Sequence, residues 1–160
     1  MECWQDRCIF RDLDRSVDRM VKRISGDREA GKSIGVVTHS FGDWVVRAAI
    51  ARAPEHRVTT LVSLTPLMRF GFLTGLLSVV SGNRIPEVTV IMDPDRASAN
   101  ADCDSNVRRL VLWSWIDESL RSVDLSHVSN LEARRVAATH LSIPLQPNVH
   151  HAVADFMFGF

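Results

Sequence analysis

"SIGVVTHSFGDWVVRAAIARAP", residues 33–54, changes its periodicity at a single serine. Ser33 to Thr38 is a short β-branched run following Gly31-Lys32, which predicts a buried strand. From Phe41 to Ala53 the period becomes helical: Trp44, Val45, Ala48, Ala49 and Ala53 share one face, and Pro54 ends the helix. Ser40 lies in the turn between, with Gly42 two positions later. A strand–serine–helix turn lifts a hydroxyl clear of the backbone and aims the positive end of a helix at any oxyanion formed there. The plainer alternative is that Ser40 only caps the helix, since serine is a favoured N-cap.

The same alternation runs outward in both directions. Upstream, Leu13, Val17, Met20, Val21 and Ile24 recur at intervals of three and four, predicting an amphipathic helix over Asp12 to Ile24. Downstream, Val58 to Leu64 reads as a strand closed by Thr65-Pro66, and residues near Leu67 to Val80 as a helix. Glu87 to Met92 reads as a strand after Pro86, followed by an Asp/Ala/Ser/Asn-rich loop to about Asn106. Val107 to Trp115 is an added strand or an extension of that loop. Leu131 to Leu141 reads as a helix end or turn and then a strand around Val136 to Thr139, and Asn148 to Phe158 as a closing helix. Strands and helices alternating at these lengths predict the α/β class: a mainly parallel sheet covered by helices on both faces. Such sheets carry their chemistry at the carboxyl ends of the strands, where Ser40 falls. With no repeat, low-complexity tract or linker, the 160 residues are expected to form one domain, 1–160.

Composition narrows the function. Nineteen basic residues balance nineteen acidic ones, leaving no net field to attract nucleic acid or an anionic membrane. The most apolar stretch, Leu61 to Gly82, is interrupted by Pro66 and Arg69, so no stable membrane span is expected. Cys3, Cys8 and Cys103 are odd in number and lack metal-ligand spacing, and the opening residues lack the basic and apolar regions of a signal peptide. A reducing, cytoplasmic setting is expected. No metal is expected at His150, His151 and Asp155, because adjacent helical histidines point about 100° apart. "GDREAGKS", residues 26–33, fits a phosphate-loop pattern but follows a helix and opens a strand, the reverse of what such a loop needs. No cofactor is expected.

A nucleophilic serine requires a base and an acid to orient it, each following a late strand. "WSWIDESL" supplies Asp117 after the Val107–Trp115 run, and "VAATHLSIPLQPNVHHAVADFM" supplies His140 after Val136–Thr139. Their separation of 23 positions suits one short helix and one strand. Asp93 and Asp95 in "VIMDPDRAS" compete for the acid role, although Asp-Pro-Asp is also ordinary turn chemistry. His39 is expected to pack near the oxyanion side, directed away from the serine hydroxyl. Trp113 and Trp115 read as core fillers, with an acyl pocket as the alternative.

These segments resemble the α/β-hydrolase superfamily, specifically its small lipase/esterase-like members. "GVVTHSFGDWVVRAAI" is similar to their nucleophile elbow and following helix, and "RVTTLVSLTPLMR" to the next strand with its L-x-T-P turn. Ile116-Asp117 matches the place of the acid in G-x-x-D-G, without its glycines, and "THLSIPLQPNVHHAVADFM" resembles the histidine loop and last helix. The resemblance implies Ser40 as nucleophile, His140 as general base, Asp117 as its orienting acid and the Phe41 N–H as one oxyanion donor. It implies hydrolysis of small-molecule or lipid esters through an acyl-enzyme, with Leu67 to Val80 as an apolar wall or lid. There are departures. Thr38 stands where glycine is usual. The chain opens at about the helix before the nucleophile strand, so the expected fold is a truncated α/β-hydrolase fold. Met1 to Phe10 contains no glycine and is not expected to form the loop giving the second oxyanion N–H. The Ser33–Thr38 strand is then an open edge, which predicts a homodimer or a covering partner. The competing expectation is a catalytically impaired remnant acting as an interaction module.

Overall fold

The computed structural model describes residues 12–26, 31–69, 71–82, 84–102, 104–117, 122–126 and 128–159. Cys3, Cys8, Cys103, the Met1–Phe10 segment and part of the 26–33 phosphate-loop pattern lie outside the described residues.

Helix α1 (Leu13–Ser25) starts where Asp12 accepts the Arg15 N–H, and buries Val17, Met20 and Ile24 on one stripe. Strand β1 (Ile34–His39) leads through Ser40 into α2 (Phe41–Arg52), and β2 (Val58–Leu64) follows. Three helices connect β2 to β3: α3 (Phe72–Ser81), α4 (Pro86–Met92) and α5 (Pro94–Ser98). Strand β3 (Arg108–Ile116) precedes β4 (Leu131–Thr139), and a short 3-10 turn at Ile143–Leu145 leads to α6 (Pro147–Phe158).

The four strands form one sheet in the order β1-β2-β3-β4, every pair parallel. On one face Val17, Met20 and Ile24 of α1 and Val45, Val46, Ala49 and Ile50 of α2 pack against Leu61. On the other, α6 and the 3-10 turn place Val149 and Ile143 against Val62, Leu64, Leu110 and Leu112. At Gly35, where a Cβ would stand 2.3 Å from the Met157 Cε, α6 comes down close onto β1. The α/β class and the parallel sheet covered on both faces are as the sequence predicts. No described helix is long and apolar enough to cross a membrane.

Three expectations need correction. Residues 87–92 are helical, not a strand. Pro86 occupies the first helical turn with its φ already set, Glu87 adds charge there, and the Thr89 hydroxyl donates back to the Pro86 carbonyl at 2.7 Å. A strand would also have no place in the sheet, because β2 pairs directly with β3 from Thr60↔Arg108 to Leu64↔Leu112. Strand β4 begins at Leu131, taking up residues read as a helix end or turn, and the described residues between β3 and β4 contain no helix. The 67–80 helix begins only at Phe72; Leu67 and Met68 are buried ahead of it.

Candidate active site

Ser40 sits at the carboxyl end of β1 with φ 54° and ψ −124°, a conformation few non-glycine residues adopt. Its N–H donates to Leu64 O at 3.0 Å, tying the turn to β2. Its side chain makes no capping bond to α2, so the serine is not spent as a helix cap. Thr38 is accommodated two residues earlier because its buried hydroxyl donates to Val62 O at 3.2 Å. At Gly42 an added Cβ would meet Thr38 Cβ at 4.0 Å, ordinary contact, so this turn does not sterically demand glycine there.

Ser40 follows β1 and His140 follows β4, the outer two of the four described strands. Neighbouring strands lie about 4.8 Å apart, so three steps of sheet separate the strand ends by roughly 14 Å. The turn after β4 folds back across the sheet to close that distance. Its local frame is reciprocal: the Thr139 N–H donates to Ser142 Oγ at 2.9 Å and the Ser142 N–H to Thr139 Oγ1 at 3.2 Å. The register pairs Ile116 with Thr139, so the residues that follow, Asp117 and His140, leave adjacent strand ends together. A shift between Ser114 and Ile116 gives β4 one extra residue there, a bulge that re-aims the strand end.

The outcome is a chain of contacts. His140 Nδ1 lies 2.9 Å from Asp117 Oδ2, and His140 Nε2 lies 3.0 Å from Ser40 Oγ. A carboxylate accepts, so Nδ1 carries the hydrogen and Nε2 is left to accept the serine O–H. Ser114 Oγ donates to the same Asp117 oxygen at 3.2 Å and fixes its orientation. His140 is 8% exposed and the Asp117 side chain 10%, so competing water is largely excluded. An imidazole held this way can take a proton from the serine and return it to a departing group.

The other positions named from the sequence divide plainly. Phe41 opens α2, which places its backbone N–H at the positive end of the helix beside Ser40. Asp93 caps α5, accepting the Asp95 and Arg96 N–H groups, and does not meet the histidine. Trp113 is core, packed with Met68, Val111 and Leu125. Trp115 is 68% exposed and, with Ile116, Ala137, Ala138, Thr139, Ser142 and Gln146, lines a shallow hollow of about 340 Å³. His150 bonds Pro144 O.

Two features could not be read from sequence. His39 makes a contact that its position in the turn does not signal: its Nε2 bonds the main-chain carbonyl of His140 at 2.9 Å, and the two rings stand 5.0 Å apart. Its pKa is lowered from the ordinary 6.5, chiefly by burial and partly by His140, against the His140 carbonyl bond and Asp117, which raise it. Beneath the elbow, Asp43 is fully buried and accepts from Arg47 Nε at 2.7 Å and Ser63 Oγ at 2.6 Å, with Arg109 4.0 Å away. Arg47 also donates to the carbonyls of Leu67, Ala97 and Ala99, drawing the β2–β3 connection onto α2.

No protein-family model and no curated relative matches the sequence. Solved structures do. A candidate non-heme bromoperoxidase from Mycobacterium tuberculosis H37Rv is 16% identical, with a TM-score of 0.61 over 92% of this chain and 74% of its own. A candidate hydrolase of the α/β superfamily from Xanthomonas campestris pv. campestris is 14% identical, with a TM-score of 0.61 over 93% and 70%. A serine hydrolase from the polyaromatic-hydrocarbon-degrading Cycloclasticus zankles is 13% identical, with a TM-score of 0.53 over 92% and 71%. The fold is therefore that of the α/β-hydrolase superfamily.

Proposed function

We propose that this chain is a serine hydrolase that cleaves carboxylic esters through an acyl-enzyme. The observation carrying the reading is the histidine whose two ring nitrogens reach Ser40 Oγ at 3.0 Å and Asp117 Oδ2 at 2.9 Å. In this mechanism His140 Nε2 takes the Ser40 proton as Oγ attacks the ester carbonyl. Asp117 holds the tautomer and stabilises the imidazolium, and the Phe41 N–H donates to the oxyanion. Collapse expels the alcohol, which receives the proton from His140 and leaves the acyl group on Oγ. Water, deprotonated by the same nitrogen, then attacks the acyl carbonyl; the Oγ–acyl bond breaks, the carboxylic acid leaves, and His140 returns the proton to Ser40 Oγ. The names of some fold neighbours, serine hydrolase and lipase-esterase related protein, agree with this reading.

Short p-nitrophenyl esters test it. Turnover by the wild-type chain that falls by at least about 10⁴ in Ser40→Ala supports the reading. Folded protein with no Ser40-dependent turnover refutes it and favours the interaction module. One observation does favour that second reading: β1 pairs only with β2 among the described residues, and Val37 on it is 47% exposed.

A further inference from the structure

The base reaches the serine from the far side of the sheet, and this raises the question of what holds it there. The bonds between Thr139 and Ser142 shape the turn but do not connect it to β1. Asp117 anchors the His140 ring from β3, the neighbouring strand. Among the described residues, two hydrogen bonds join the turn to the end of β1: the Ser40–His140 pair itself and the one from His39. The reacting pair cannot do the positioning, because its hydrogen bond is broken and remade in each proposed turnover.

We propose that His39 is a positioning residue for His140, its Nε2–H holding the His140 main-chain carbonyl while its ring packs beside the imidazole. The carbonyl can only accept, so His39 must carry its hydrogen on Nε2. The tether arises from the residue adjacent in sequence to Ser40, so strand, nucleophile and base move as one unit. It fixes the base at its backbone, while Asp117 fixes the rotation of the ring about that point. Held from both ends, the imidazole keeps Nε2 aimed at Oγ across roughly 14 Å of sheet. This role rests on the ester-hydrolase reading for its catalytic consequence, but its geometric part can be measured without any turnover.

The test compares the full-length wild-type chain with His39→Phe, which keeps a ring without the donor, and His39→Gln, whose amide can donate from a similar reach. Kinetics on p-nitrophenyl butyrate are paired with long-range proton–nitrogen NMR of the His140 ring. The expected result is a fall in kcat of about 10–100-fold with KM unchanged in H39F, and near-complete recovery in H39Q. In H39F Asp117 still holds the Nδ1–H tautomer, but the His140 Nε2 resonance should move toward that of an imidazole nitrogen that accepts no O–H. If H39F does not fold, His39→Asn, too short to reach the carbonyl, replaces it. An unchanged His140 Nε2 resonance in the folded donor-less variant overturns the inference, whatever the kinetics. If the wild type fails to turn over ester but the Nε2 resonance still moves in H39F, the ester-hydrolase reading falls and the tether stands.

Discussion

At the residue scale, the site is a set of hydrogen-bond directions, and His39 makes one of them measurable through pH. Burial lowers its pKa below 6.5, with His140 adding to the effect and Asp117 opposing it. Between that lowered value and 6.5 the unfolded chain binds a proton that the folded chain does not. The stability from keeping this ring neutral is thus fully present above 6.5 and is lost as pH falls through the folded value. The melting-temperature difference between wild type and His39→Gln should therefore shift against the wild type from about pH 7.5 to about pH 5. A constant difference across that range would show that the ring titrates as it does in the unfolded chain.

At the scale of elements, the junction between β1 and α2 rests on buried charge more than on glycine. Asp43, Arg47 and Arg109 are fully buried, and one carboxylate faces both guanidinium groups. Removing it leaves them uncompensated, so Asp43→Ala should lose about 3–5 kcal/mol in a urea melt; a loss below about 1 kcal/mol would mean the cluster is dispensable. Gly42→Ala has room, and should leave stability unchanged or raise it by up to about 1 kcal/mol in the same melt. A large loss would show that the turn is tighter than its contacts indicate. The elbow was legible because a short β-branched run gives way to a helical period at one residue, and Asp117 and His140 because each follows an apolar run. Residues 86–92 were not, since Val88, Thr89, Val90 and Ile91 imitate a strand until the direct pairing of β2 with β3 leaves no position for one. The ties of His39 to His140 and of Arg47 to Ala97 span 101 and 50 residues, distances over which local pattern carries no signal.

At the scale of the molecule, β1 pairs only with β2 among the described residues, which leaves its other side for another strand to pair. The half-exposed Val37 lies on that strand, and a second copy could pair there about a two-fold axis. Light scattering coupled to size-exclusion chromatography should then report a dimer, reduced to monomer by Val37→Lys. A monomer at high micromolar concentration would contradict edge pairing.

The central claim is that three side chains distant in sequence make one serine nucleophilic, and labelling by a fluorophosphonate probe tests it most directly. Mass spectrometry of the labelled wild-type chain should find the adduct on Ser40, formed at least about 10³-fold more slowly in folded His140→Ala and Asp117→Asn variants. An unlabelled Ser40 in the folded protein, or labelling indifferent to both substitutions, would contradict it.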